Sequence, residues 1–249
     1  RDGEMHINFG CDVRGKKVFL FQSFYPNQNL SLVEVLFSSN LARDLGARSV
    51  NLVAPYLSYQ REDLRIKKFD CVSVKILGEL LSSSVDSLLC VGPHLKDLSK
   101  YFTIPVHSVD CFELIKHYVK NNYDGAVVVG PDENARPLVM GLGSRNIVLK
   151  KKRKDELNVS FEKGFRLNNK NVVIIDDMVI TGTTLIGCLN YLGLKKADFI
   201  VVHPLMKNNV LEKLKEYGSV ISCNTIENES NVIDVSGLIA GEIKDEWNS

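Results

Sequence analysis

The sequence predicts an α/β protein in two halves, each a largely parallel sheet flanked by helices. Short β-rich runs alternate with helical patterns along the chain. The runs are continuously apolar, as strands of a parallel sheet covered on both faces must be. Two of them also end alike, "VGPH" at Val91–His94 and "VGPD" at Val129–Asp132. That repeat suggests two related halves divided near Pro105 to Asp110; a chance match of three common residues would look the same.

The elements follow in order. "VFLFQS" (18–23) reads as a strand. Next comes a helix with Leu30, Val33, Phe37, Leu41 and Leu45 spaced by three or four, stopped at Gly46. "SVNLVA" (49–54) is a strand ended by Pro55, 73–81 a helix and "SLLCV" (87–91) a strand. Asp110 is the expected N-cap of a helix over "DCFELIKHYVKN". Strands are expected at 126–130, 146–149, 171–175 and 198–202, with helical stretches between most of them. Residues 150–166, "KKKRKDELNVSFEKGFR", are charged and then partly alternating, which suggests a β-flap or mobile loop.

A chain of 249 residues allows one large domain or two ordinary ones. Its 45% apolar content supports a sizeable core, and the net charge of +1 argues against general nucleic-acid binding. No apolar run approaches the roughly 20 residues of a membrane span, and no signal peptide is visible. The chain opens on "RDGE", without Met, so the natural N-terminus is expected to be missing. None of the six cysteines forms a C-x-x-C pair. Buried free thiols in a reducing cytoplasm are expected, and zinc ligation has little support.

The most informative stretch is "NVVIIDDMVITGTTL", Asn171 to Leu185. An apolar strand is read to end in Asp176 and Asp177, and Thr181, Gly182, Thr183 and Thr184 then lead into a helix. Carboxylates repel phosphate but accept hydrogen bonds from sugar hydroxyls, directly or through Mg²⁺. N–H groups at a helix N-terminus favour an anion, and glycine lets the chain approach it closely. One turn of this kind can hold a ribose 5-phosphate from both ends. An acidic strand end with a Thr N-cap accounts for the residue types but not for the whole pattern.

This stretch resembles the phosphoribosyl-diphosphate-binding motif of type I phosphoribosyltransferases and of the ribose-phosphate diphosphokinase (PRPP synthetase) family. Other segments resemble the synthetases. "DGE" at Asp2–Glu4 is similar to their Asp-Gly-Glu, and "PYLSYQRED" at Pro55–Asp63 to their ATP-holding loop. "VGPHLKDLSKYF" is similar to their metal-binding Asp-x-His segment, "GPDENA" to a Pro-Asp segment that helps hold Mg²⁺, and "LKKKRK" to the start of their catalytic loop. "NTIENESNVIDVSGLIAGEI" is similar to their C-terminal end. Transferases lack the "YQRED" and "VGPH" segments, so the synthetases fit better.

The resemblance implies two type I phosphoribosyltransferase-like domains: 1–107 on the ATP side, 108–234 with the ribose 5-phosphate loop and flap, and a segment 235–249 packing back on the first. ATP contacts fall to Asp2, Glu4, Arg61, Glu62, Asp63 and His94. Ribose 5-phosphate falls to Asp176, Asp177, Thr181, Gly182, Thr183 and Thr184. Mg²⁺ falls to His94 and Asp132, and catalysis to Lys151, Arg153 and His94. His94 alone reads as a structural histidine; after a strand, and with Asp132 in the aligned pattern, it reads as a metal ligand. The basic run at Lys150–Lys154 alone reads as a solvated face. A cytoplasmic homo-oligomer, dimer or hexamer, without nucleic-acid or membrane partners is expected. Four departures from the family pattern stand out: Gly92 replaces an Asp, Glu62 a Gln, Leu64 a basic residue and Ile180 an acidic or small one. Two rivals stay open: a catalytically weak or silent regulatory homologue, motivated by Gly92, Glu62 and Leu64, and a phosphoribosyltransferase using the same loop on a base.

Overall fold

The structure is a computed structural model that describes residues 4–153, 159–161, 167 and 171–247. The chain divides into two compact units, Arg1–Val109 with Gly241–Ser249, and Asp110–Ala240.

The first unit holds a four-stranded parallel sheet of β1 (Lys17–Phe21), β2 (Ser49–Ala54), β3 (Ser87–Val91) and β4 (Val106–Val109), in that order. Helices α1 (Gln28–Asp44) and α2 (Ser73–Ser82) join consecutive strands. β2 and β3 coincide with the expected strands, and nearly every residue in them is buried, so both read as mainly apolar runs; the buried exception in mid-strand, Asn51, accepts from Ser87 Oγ at 2.8 Å and donates to Val18 O at 3.3 Å. Strand β4 was not expected. It is a short edge strand whose His107 and Ser108 interrupt the apolar pattern.

Helix α1 forms where the spacing predicts it, but its faces are reversed. Ser31, Val35, Ser39 and Ala42 are buried, while Leu30, Val33, Phe37 and Leu45 are exposed. Small side chains let the helix lie close to β1 and β2. Its buried hydroxyls are satisfied: Ser31 Oγ accepts from Gln22 Nε2 at 3.0 Å and Ser39 Oγ donates to Leu36 O at 3.0 Å.

The second unit runs α3 (Phe112–Asn122), β5 (Val127–Gly130), α4 (Arg136–Val139), β6 (Arg145–Val148), β7 (Lys151–Arg153), β8 (Val159–Phe161), β9 (Val172–Val179), α5 (Thr183–Tyr191), β10 (Asp198–Pro204), α6 (Asn208–Lys215), β11 (Val220–Cys223), β12 (Asn231–Ile233) and α7 (Ser236–Trp247), the last continuing past Ala240 into the tail grouped with the first unit. Six of its strands form a parallel sheet in the order β12-β11-β10-β9-β5-β6. Ile174, Phe199 and Val201 fill the core with Leu185 and Leu189 of α5 and Leu211 and Leu214 of α6. Strands β7 and β8 pair antiparallel as a hairpin within the expected flap. Asp110 precedes α3 as expected; its Oδ1 accepts the Phe112 N–H at 2.7 Å, although Cys111 occupies the cap position.

All six cysteines are free thiols; Cys90, Cys111, Cys188 and Cys223 are buried, Cys11 and Cys71 exposed. Among the described residues no helix is long and apolar enough to cross a membrane.

Candidate active site

In the second unit, strand β9 does not stop at Ile175. It continues to Val179 because β10 pairs with it throughout, Val201 opposite Asp176 and Pro204 opposite Val179. The pairing with β5 ends at Ile174. Asp176 and Asp177 thus lie in the part of β9 that outruns β5, rather than beyond the strand. Successive strand residues face opposite sides, and the two carboxylates differ accordingly. Asp176 is buried and its Oδ1 accepts from the Asp177 N–H at 3.0 Å; Asp177 is half-buried.

Ile180 to Gly182 then turn the chain into α5. Gly182 has φ +71° and ψ −2°, a region that costs other residues roughly 1–2 kcal/mol. A Cβ there would also meet Leu214 Cδ2 at 3.2 Å and Val210 Cγ1 at 3.4 Å, both on α6. The backbone favours glycine, and a Cβ would fit only if the Leu214 side chain gave way slightly. Helix α5 starts at Thr183 with no side-chain cap, so its first N–H groups have no intrahelical partner and suit an anion. The hydroxyls of Thr181 and Thr183 lie 2.9 Å apart across the turn, and Thr183 and Thr184 are partly exposed.

Two further pieces lie close by in the same unit. The turn after β5 carries half-buried Asp132, whose Oδ1 accepts from the Asn134 N–H at 2.9 Å; the residues that follow, Glu133–Ala135, lie beside β9. Strand β8 lies beside α5, which puts the flap near the helix that begins at the turn. Lys151 and Arg153 are on β7, and the roles expected of their side chains lie outside the described residues.

In the first unit the candidates leave the carboxyl ends of two neighbouring strands, where parallel sheets bind ligands. The Pro55–Asp63 loop follows β2 and the "VGPH" turn follows β3. Arg61 and Glu62 are exposed and Asp63 is half-buried. The loop is held by residues that motif spacing did not single out. Buried Gln60 donates from Nε2 to Leu57 O at 2.9 Å, and its Oε1 accepts from the Leu95 N–H at 3.4 Å. Tyr101 Oη donates to Asp63 O at 3.3 Å. Tyr59 has φ +64°, the one non-glycine residue with positive φ among those described, and its hydroxyl donates to Asn29 Oδ1. Strain of this kind is found where surrounding structure enforces it, often at functional sites. Ser58 Oγ is buried without a hydrogen-bond partner among the described residues. Glu4 is exposed, and Asp2 lies outside the described residues.

Gly92, the departure from the Asp-x-His pattern, has φ +48°, and its N–H donates to Val109 O at 2.8 Å. The turn before His94 is left-handed at this residue, which favours glycine. His94 itself is half-buried.

Among the described residues no group of three or more His, Cys, Asp or Glu side chains could hold a metal by itself. Mg²⁺ does not require one. It binds through one or two carboxylates together with waters and substrate phosphates. Asp132, a half-buried carboxylate whose Oδ1 accepts from the Asn134 N–H, is of the type that such a sparse set uses.

The two parallel sheets flanked by helices make this an α/β protein of the phosphoribosyltransferase type. The profile of the phosphoribosyl transferase domain matches residues 99–238, and that of the N-terminal domain of ribose phosphate pyrophosphokinase matches residues 1–84. The ribose-phosphate pyrophosphokinase of Saccharolobus solfataricus is 31% identical over 96% of this chain and 88% of its own length. That of Methanothermobacter thermautotrophicus is 31% identical over 98% of this chain and 89% of its own. The solved phosphoribosylpyrophosphate synthetase of Mycobacterium smegmatis shares the fold, with a TM-score of 0.86 at 23% identity over 99% of this chain and 88% of its own. The chain belongs to the ribose-phosphate pyrophosphokinase family.

Proposed function

We propose that the chain is a ribose-phosphate diphosphokinase, forming 5-phosphoribosyl 1-diphosphate and AMP from ribose 5-phosphate and ATP for nucleotide biosynthesis. The 1-hydroxyl oxygen attacks the β-phosphorus of ATP and loses its proton. The bond from that phosphorus to the α,β-bridging oxygen breaks, and AMP departs. Such a transfer depends on positioning and charge neutralisation rather than covalent catalysis.

The observation that carries this reading is the β9–turn–α5 unit. Its glycine-fixed turn opens uncapped helix N–H groups and Thr181, Thr183 and Thr184 hydroxyls to a phosphate, with Asp176 and Asp177 upstream for the ribose hydroxyls. In the first unit, Arg61, Glu62, Asp63 and His94 receive ATP, with Asp2 and Glu4 toward the base. His94 and Asp132 hold Mg²⁺, which when bound neutralises phosphate charge. Lys151 and Arg153 of the flap stabilise charge on the transferred group. The free thiols support a cytoplasmic setting.

The test is AMP formation by the protein with ATP, ribose 5-phosphate and Mg²⁺. Stoichiometric AMP and 5-phosphoribosyl 1-diphosphate are expected. Binding of both substrates without AMP would replace this reading with the silent regulatory homologue. Release of pyrophosphate from 5-phosphoribosyl 1-diphosphate and a base would replace it with a transferase.

We also propose a homo-oligomer. The exposed stripe of Leu30, Val33, Phe37 and Leu45 on α1 supports it, because contiguous apolar faces of this kind mark association surfaces. Phe37→Glu is expected to lower the mass seen by sedimentation; an unchanged mass removes this stripe from the interface.

A further inference from the structure

The resemblance of "VGPH" to an Asp-x-His segment implies an acidic side chain two residues before His94, and Gly92 supplies none. The left-handed φ of +48° at that residue shows that its turn is shaped around glycine. The segment after Gly92 is nevertheless tied down from another side. Gln60 is 3% exposed at the end of the Pro55–Gln60 stretch that follows β2. Its amide spans two segments: Nε2 donates to Leu57 O at 2.9 Å within its own loop, and Oε1 accepts from the Leu95 N–H at 3.4 Å. Leu95 follows His94 directly, and Arg61 follows Gln60 directly. A buried amide is held by its hydrogen bonds, because losing them costs desolvation without return. One side chain thus fixes the spacing between the residue proposed for ATP and the residue proposed for the metal.

We propose that Gln60 is a positioning residue that sets the His94 turn against the Arg61 loop and so makes up for the carboxylate absent at Gly92. This rests on the diphosphokinase reading for what Arg61 and His94 hold. Gln60 touches neither nucleotide nor metal; it acts through its neighbours. Residues that orient a metal ligand from behind commonly change affinity about 10–100-fold when lost.

The experiment is a double-mutant cycle with Gln60→Met and Gly92→Asp. Methionine keeps the buried volume and removes both hydrogen bonds. Aspartate is among the few residues that tolerate a left-handed φ. Each protein is titrated with Mg²⁺ and a non-hydrolysable ATP analogue by calorimetry, alongside thermal unfolding and kinetics with ribose 5-phosphate. Gln60→Met is expected to weaken Mg²⁺–nucleotide binding about tenfold, with the Michaelis constant for ribose 5-phosphate unchanged. Adding Gly92→Asp is expected to restore most of that loss, while Gly92→Asp alone changes little. If Gln60→Met lowers the unfolding temperature but binds Mg²⁺–nucleotide like the parent, Gln60 only supports the fold and the proposal fails. If the two substitutions act independently, Gln60 does not stand in for the missing carboxylate and the proposal fails equally. A parent that binds nucleotide but forms no AMP overturns the diphosphokinase reading, and the binding cycle still decides the role of Gln60.

Discussion

The two units hold their candidate loops in opposite ways. In the second, a three-residue turn is fixed by backbone: Gly182 occupies a conformation and a space that no side chain shares comfortably. In the first, a longer loop after β2 is fixed by side chains, with Gln60, Tyr101 and Tyr59 each reaching to a different partner. Past Asp63 that loop exposes Leu64, Ile66 and Phe69. The difference fits what each is proposed to hold. A phosphate is small and is gripped by N–H groups whose positions the backbone sets. A nucleotide is long, and its contacts come from side chains that several segments must align.

The comparison can be broken most forcefully at the flap, which belongs to neither scheme. Lys151→Ala or Arg153→Ala is expected to lower turnover about 100-fold or more, as the loss of a donor used in the transition state does. Both Michaelis constants should stay within a few-fold. A parent-like turnover would make this run a surface charge patch. Gly182→Ala comes next. Left-handed strain and contact with Leu214 and Val210 should together cost about 2–3 kcal/mol. Steady-state kinetics should show the Michaelis constant for ribose 5-phosphate raised about 30-fold and that for ATP little changed. Equal effects on both would mean that the turn does not serve the phosphate alone.

Tyr59→Phe tests the side-chain-held loop. It removes the hydrogen bond to Asn29 and is expected to raise the Michaelis constant for ATP about three- to tenfold, sparing ribose 5-phosphate. The smallest effect concerns stability. The Asp234 carboxylate accepts the first N–H of α7 from Ser236 at 2.9 Å, the Ser236 hydroxyl at 2.7 Å and the Asn224 amide at 2.7 Å. These donors, Ser236 first, hold its pKa below the usual carboxylate value. A lowered folded-state pKa means stability that is present above the unfolded value and lost as pH falls through the folded one. Asp234→Ala should therefore cost about 1 kcal/mol in urea unfolding near neutral pH. Parent and mutant should converge as the pH drops below about 4. A gap that persists in acid would mean that the carboxylate charge is not what caps the helix.

Much of this was legible in the sequence, and the failures have physical causes. β2 and β3 were plain because burial on both faces keeps every residue in them apolar except Ser49, Asn51 and Ser87. Strands β4, β11 and β12 were not, being three or four residues long and interrupted by His107, Ser108, Ser222 or Asn231. Strand β9 outran its apolar run because pairing with β10 continues whatever the side chains are. Helix α1 was legible as a helix but not in its orientation, since spacing locates an apolar stripe without saying what covers it. The Asp pair, Gly182 and the threonines stood out because they fall within nine residues of one strand end and the turn after it. Gln60 did not, because its partner Leu95 is distant in sequence and no local pattern links them. Gly92 read as a loss until its φ showed a turn of another shape.

The sheet order of the second unit has a kinetic consequence. The pairing of β5 with β9, next to the sheet's centre, joins Val127 to Val172, so the segment between them, β6 and the flap included, is spanned by one long-range closure. Such closures are slow steps, because chain entropy is surrendered before any contact repays it. Yet the cost of closing grows only with the logarithm of the loop, about 0.6 kcal/mol for each doubling. Insertions and deletions in the flap are therefore expected to cost folding little, which leaves its length free to vary.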